Sequence, residues 1–391
     1  MKEIFDVIII GGGPAGCFAA LECAKSNLKT LLLEENSVIG QPVHCGECIS
    51  GIAAGRLGLE LPEQVISANV KGIKIIFPNG KNTVLKEEGF VLEKDKFEQW
   101  IGKKAVKAGA KIKTEHKVKE IKKEGNFWEI QCSNKNSFTG KILIDASGVY
   151  SFTSKKLELN SMPKTVIGIQ YKMTEIERND FLDFYLWPKL APKGYLWMIP
   201  KKNGKANIGL VTEEKTHAKK FLDEFLKQKK WENKKIEKSF GGLIPISGPH
   251  KKTFDDGLML IGDAAGFTSP LFEGGTSLAL TSAKFAGMTA KKAIETNDYS
   301  KKVLKEYEEL WKKEFPDYNK LIKGKNIFYS FSEEELNFFS ELLPDDLTKI
   351  SFWKFLSSSL KLLIKKPLLV KKGAFKAAKA FSFSKAKHYG W

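Results

Sequence analysis

Arginine is almost absent from this chain. Only Arg56 and Arg178 occur among 391 residues, although the net charge is +18, so the excess is lysine. A nucleic-acid reader uses the guanidinium fork for bidentate contacts to bases and phosphates. Nucleic acid is therefore not expected as a partner. Cysteine is also scarce: Cys17, Cys23, Cys45, Cys48 and Cys132, unevenly spaced. That excludes a disulfide framework and suits a reducing cytosol. No apolar run reaches the roughly 18 residues that a membrane-crossing helix needs. The opening MKEIFDVIII runs straight into glycines without a small-residue cleavage site, so no secretory leader is expected. Acid is missing from one whole region: residues 352–391 hold ten lysines and no Asp or Glu.

What is present argues for an enzyme-sized globular protein. At 42% apolar and 11% aromatic the chain can bury a sizeable core, and its length suggests two or three lobes. In the acid-free region Phe352, Trp353, Leu356, Leu360, Leu363 and Ile364 recur at helical spacing among the lysines. That pattern fits a helix lying on an anionic membrane surface. The plain alternative is a terminal helix packed on the body with a solvated lysine face.

The segment DVIIIGGGPAGCFAALECAKSNLKTLLLEE is the most informative. A short apolar run reads as a buried parallel strand. Gly11, Gly13 and Gly16 follow as G-x-G-x-x-G around Ala15, then a helical pattern and a second strand ending at Glu34. Gly11 makes the tight turn, Gly13 lets the backbone approach a pyrophosphate, and Gly16 lets the helix pack on the strand. Glu34 is placed to accept hydrogen bonds from a ribose diol. Two later segments, KILIDASGVYS and GLMLIGDAAGFTSPLFEGGTSLAL, read as strand–turn units returning to the same site. Asp263 and the turn Gly274, Gly275, Thr276 suit the ribityl and flavin end of FAD, so the cofactor domain is expected to be discontinuous.

On these residues the chain resembles the two-domain FAD enzymes of the para-hydroxybenzoate hydroxylase type. Within them it resembles the geranylgeranyl reductase family, through GGGPAG, PVHCGECIS, GYLWMIP and GDAAGFTSPLFEGGT. The resemblance implies an α/β flavoprotein that saturates isoprenoid chains of membrane lipids. It implies substrate contacts at Tyr195 and Trp197, with Ile199 where the family has Phe. It implies FAD contacts at Lys94, where the family has arginine, and at the backbone of Val118. Cys45 and Gly46 match the family's flavin-side pair, and the position of Cys48 is commonly glycine.

The cysteine pair admits three uses. A structural zinc needs four ligands, and no second C-x-x-C or H-x-x-x-H exists. A single functional thiol at Cys45, a disulfide-capable pair with Cys48 and a purely structural pair remain. Unactivated alkenes need a proton on one carbon as hydride reaches the other, and Cys45 is a candidate for supplying that proton.

Residues 151–250 read as an antiparallel sheet with one buried face, in which Tyr185, Trp187, Tyr195 and Trp197 could wall an apolar tunnel. The expected organisation is an FAD-binding domain over 1–150 and 251–300, with a small inserted sheet around 65–95. A substrate sheet domain over 151–250 and a lysine-rich helical region over 301–391 complete it. The expected activity is FAD-dependent reduction of geranylgeranyl chains on glycerophospholipids, in a cytoplasmic protein bound peripherally to membrane. Reduction of geranylgeranyl diphosphate or another prenyl compound, flavin monooxygenation or halogenation, and electron transfer are the alternatives. Ferredoxin and reduced nicotinamide are the candidate electron donors.

Overall fold

The computed structural model describes residues 3–43, 45–389 and 391. Its first sheet runs in the order Phe254–Asp255, Leu258–Leu260, Ser137–Asp145, Ile4–Ile10, Thr30–Leu33, Lys111–Lys113. All neighbours but the first pair are parallel. Parallel strands covered on both faces read as unbroken apolar runs, which explains VIII and TLLL. The helix Pro14–Lys25 packs on this sheet, with Lys94–Lys107 and Thr276–Glu295 packed against it. A ribbon of Val118–Glu124 and Phe127–Cys132 extends from the Ser137–Asp145 strand.

The second sheet has seven strands: Ile236–Pro245, Thr165–Met173, Lys205–Thr212, Tyr195–Lys201, Leu182–Tyr185, Ile73–Ile76 and Asn82–Leu85. Only the Leu182–Tyr185/Ile73–Ile76 pair is parallel. This differs from a separate inserted sheet around 65–95. That stretch is divided: Ile66–Val70 and Gly89–Leu92 pair beside Cys48–Ser50 in a three-stranded sheet, while Ile73–Ile76 and Asn82–Leu85 extend the large one.

The large sheet is also not buried on one face alone. Every residue of Leu182–Tyr185 and Tyr195–Lys201 is buried, because the helix Ala218–Gln228 covers one side and the C-terminal helices the other. The register decides which aromatic faces where. Phe184 lies opposite Trp197, and Tyr185 opposite Leu196. With a side-chain period of two, Tyr185 falls on the Ala218–Gln228 side, packed with Trp187 and Phe225. Tyr195 and Trp197 face the other way. Tyr185 and Trp187 are therefore core residues, not tunnel wall.

From Lys301 onward the chain is helical: Lys301–Glu314, Tyr318–Phe328, Glu333–Leu342, Phe352–Lys365, Pro367–Lys372 and Ala374–Phe381. Pro367 starts its helix, where its missing N–H leaves no intrahelical bond unmade. Tyr318–Phe328 and Ala374–Phe381 cross so closely that a Cβ on Gly324 would lie 2.0 Å from Ala380 Cβ.

Candidate functional site

The glycine turn has the three distinct environments its chemistry requires. Gly11 has φ +100°, and a side chain there would lie 2.5 Å from Ala146 O. At Gly16 an added Cβ would lie 1.9 Å from Gly11 O, so only glycine lets the helix sit on the strand. At Gly13 an added Cβ meets nothing within 4 Å. That open face, at the N-terminus of Pro14–Lys25, is the approach a pyrophosphate needs. Glu34 stands beside it, 8% exposed, accepting from Gly12 N–H at 2.6 Å and from Asn36. His116 N–H donates to Glu34 O, which brings the Val118 strand to the same edge.

The return segment closes the other end. Ala15 packs under Gly262, whose added Cβ would lie 3.1 Å from Ala15 Cβ. Asp263 accepts from Thr268 Oγ1 at 3.0 Å. Burial raises its carboxyl, against the pull of Thr268 and Lys94. Gly275 precedes the Thr276–Glu295 helix, and a Cβ on it would be 3.6 Å from Asp263 Oδ1. Gly274, Gly275 and Thr276 thus sit at a helix N-terminus beside Asp263.

Lys94 opens the Lys94–Lys107 helix and is 4% exposed, with Glu98 Oε1 2.6 Å from its ammonium. Burial pulls its pKa down, but Glu98, Cys45 and Glu47 outweigh that and hold it above the ordinary value. Lys94 therefore lies in the field of the cysteine loop and of Asp263.

The Cys45–Cys48 loop is pinned by charges that sequence reasoning missed. Both thiols are free. Glu47 N–H donates to Cys45 Sγ at 3.2 Å. The Glu47 carboxylate, buried at a φ of +73°, pairs with the Lys201 ammonium. Lys201 also donates to Leu92 O at 2.6 Å and lies 3.5 Å from Glu93. Burial works against the Glu93 carboxylate, yet the Ser67 hydroxyl and Lys201 hold it below its usual range. Cys48 is a different thiol: burial, then Cys45 and Glu47, push it well above the ordinary value, so it stays protonated.

Cys45 and Trp197 share one cleft, about 40 Å³, with Gly168, Gly241 and Gly242. Gln170 ties them together. Its Nε2 donates to Cys45 O at 2.6 Å, and its Oε1 accepts from Trp197 Nε1 at 3.2 Å. Gly209 makes room for this indole; a Cβ there would lie 2.6 Å from Trp197 Cζ2. A second, apolar pocket of about 220 Å³ lies between the sheet and the C-terminal helices, lined by Phe77, Leu186, Phe331, Leu347 and Phe381 among others. An aromatic seam joins the two. Phe381 meets Phe272 edge-to-face at 5.4 Å, Phe272 meets Tyr195 edge-to-face at 5.1 Å, and Tyr195 packs tilted against Trp197 at 5.8 Å. The Tyr195 hydroxyl donates to Phe272 O at 2.7 Å.

Next to that seam lies a buried pair, Glu273 and Lys325, 3.1 Å apart. Glu273 has φ +50°, and its Oε2 has no hydrogen-bond partner among the described residues. The Tyr195 hydroxyl is close by, but its single hydrogen goes to Phe272 O. Burial pushes the Glu273 carboxyl up to about 7, against the opposing pull of Lys325. Lys201, Gln170 and Lys325 lie in no motif, and Glu47 and Glu273 lie inside PVHCGECIS and GDAAGFTSPLFEGGT without any role assigned to them there. A lone charged or amide residue in a sequence reads as solvated, and only the fold buries these.

Among the described residues no cluster of His, Cys, Asp and Glu could hold a metal ion. The lycopene cyclase protein family model matches residues 6–378. A digeranylgeranylglycerophospholipid reductase of Methanocaldococcus jannaschii is 34% identical over 95% of this chain and 98% of its own. One from Methanococcus vannielii is 32% identical over the same shares. A geranylgeranyl bacteriochlorophyll reductase-like protein from Thermoplasma acidophilum superposes with a TM-score of 0.87 at 30% identity, covering 96% of this chain and 100% of that one. The flavin-dependent brominase Bmp2 shares the fold, at TM-score 0.73 and 19% identity over 97% of this chain and 98% of its own. With relatives at this identity matched along nearly their whole length, the chain belongs to the digeranylgeranylglycerophospholipid reductase family.

Proposed function

We propose that this protein is an FAD-dependent reductase that saturates the double bonds of geranylgeranyl chains on glycerophospholipids. Its relatives are named digeranylgeranylglycerophospholipid reductases. The observation that carries the reading is the aromatic seam running from the apolar pocket to Trp197 beside Cys45.

The residues present fit FAD. Gly11, Gly13, Ala15 and Gly16 would cradle the pyrophosphate, and Glu34 the ribose. Val118 would meet the adenine through its backbone. Asp263 and Gly274–Thr276 would face the ribityl and flavin end, with Lys94 and the Cys45–Gly46–Cys48 loop across from them. Reduced flavin supplies the hydride for alkene reduction. The chain supplies the rest. Tyr195 and Trp197 wall the alkene, and the packed aromatics exclude water that would quench cationic character. Cys45 holds the proton, or a water that carries it. In this reading residues 1–150 and 251–300 hold the cofactor, 151–250 present the substrate and 301–391 cover it.

The protein would reach its substrate from the cytoplasmic side of an anionic membrane. No helix among the described residues is long and apolar enough to cross a membrane. The Phe352–Lys365 helix instead exposes Phe352, Trp353, Phe355, Leu360 and Ile364, with Leu368 just beyond. Large apolar side chains left in water beside lysines suit an interfacial helix. Ile350, which lines the apolar pocket, stands two residues before that helix. The basic surface also suits an acidic donor such as ferredoxin.

The test is anaerobic. The protein is reduced with dithionite, then mixed with geranylgeranylated phospholipid. Flavin re-oxidation with lipid mass rising in steps of two hydrogens is expected. Reduced flavin that discharges only on admitting oxygen, with lipid unchanged, defeats the reading. A Cys45→Ser protein that binds FAD and keeps the full rate removes Cys45 as the proton source.

A further inference from the structure

The chain has a second charged cleft, away from the cysteine loop. It measures about 860 Å³ and lies at the ends of the strands Thr165–Met173 and Ile236–Pro245. Lys164, Lys193, Lys215, Lys325 and Asn326 face it, against a single lining acid, Glu213. Lys193 is engaged by that acid at 3.2 Å. Lys164 and Lys215 have no carboxylate partner among the described residues, and Lys215 donates to Thr165 Oγ1 at 2.8 Å. Lys325 is only 2% exposed. Burying an ammonium is costly unless it is met by opposite charge. Its partner Glu273 has an oxygen with no hydrogen-bond partner among the described residues, and burial raises that carboxyl toward neutrality, which leaves the cleft net positive. Ammonium groups with an amide and a hydroxyl at hand form the donor set a phosphate takes.

The same two strands run from this cleft to the Cys45 cleft. Thr165 lines the first, and Gly168, Ile169 and Gln170 line the second. On the neighbouring strand and just past its end, Ile246 and Ser247 line the first, and Phe240, Gly241 and Ile244 the second. Four residues of strand, from Thr165 to Ile169, span about 13 Å.

We infer that the lysine cleft holds the phosphate of the lipid headgroup, and that the two strands lead its isoprenoid chain from there to Cys45 and Trp197. This rests on the reductase reading above. The phosphate fixes one end of the substrate, and the strands set which double bonds reach the site.

The test uses the full chain with FAD in neutral detergent micelles, so that no anionic surface engages the Phe352–Lys365 helix. KM is measured for a geranylgeranyl glycerol phosphate ether and for the same lipid without its phosphate, in wild type and in Lys164→Ala/Lys215→Ala. Both lysines are exposed, so their loss leaves the core intact; flavin content checks this. Wild type is expected to favour the phosphorylated lipid at least tenfold. The double variant is expected to raise its KM about tenfold or more and erase that preference, with the KM for the neutral lipid little changed. Inorganic phosphate should compete with the phosphorylated lipid in wild type only. Equal wild-type KM values for the two lipids overturn the inference, as does a variant that shifts both equally. Inorganic phosphate bound in the cleft without effect on lipid KM makes it a free-anion site and also overturns it. A wild type that reduces neither lipid defeats the reductase reading itself.

Discussion

Replacing Lys201 by methionine strands two carboxylates at the cysteine loop. Lys201 is 1% exposed and pairs with Glu47, with Glu93 3.5 Å away and Leu92 O at 2.6 Å. Breaking a buried pair from one side costs about 3–5 kcal/mol, because the remaining charge has lost its counterion without regaining water. Two carboxylates are affected here, so about 4 kcal/mol is expected. At about 2.1 cal/mol/K of unfolding entropy per residue, 391 residues give roughly 0.8 kcal/mol/K, so Tm should fall by about 5 °C. Glu47→Gln/Lys201→Met removes the pair from both sides and should recover more than half of that, since an isosteric neutral pair is often close to neutral. The assay is thermal unfolding of the four proteins of the cycle, with and without FAD. Flavin affinity should fall in Lys201→Met, because Glu47 N–H holds Cys45 Sγ at 3.2 Å. A single variant melting within a degree of wild type refutes the reasoning. So does a double variant no better than the single, since charge would then not be the cause.

Gly13→Ala should fold with wild-type Tm yet lose FAD affinity tenfold or more, read by flavin titration, because its Cβ is harmless until a pyrophosphate arrives. Gly16→Ala should fail already in folding, since its Cβ would lie 1.9 Å from a carbonyl oxygen. Trp353→Ser/Ile364→Ser should weaken sedimentation with anionic vesicles by tenfold or more. Those side chains are 76% and 71% exposed, and each fully buried one is worth about 1.5–3 kcal/mol. Glu273 has a sign fixed by its raised carboxyl, about 7 in the fold against 4.5 for the free group. The native state binds the extra proton, so this contribution to stability is full below about 4.5 and is lost as pH rises through about 7. Glu273→Gln should therefore flatten the fall in Tm over that window; an unchanged slope refutes it.

How much of the site could be read in advance differed by residue. Gly11, Gly13, Gly16 and Glu34 could be singled out because backbone geometry makes their spacing obligatory, and the fold brings them close together. Cys45 and Gly46 were legible only as a family resemblance. Tyr185 and Trp187 look in sequence just like Tyr195 and Trp197. Only the pairing of Phe184 with Trp197 reveals that the first two face the opposite side of the sheet. The Lys201–Glu47 pair joins residues 154 apart in the chain, and no local pattern encodes such a contact.

By itself, then, the sequence determined the buried parallel strand, the glycine turn after it, the acid that follows, and a lysine-rich amphipathic terminus. These rest on steric rules and on periodicities that act within a few residues. The tertiary structure decided which charges are buried, which face each aromatic takes, and where the apolar pocket and the lysine cleft lie. Those depend on strand register and helix packing between distant segments, and on the desolvation that only a closed core imposes.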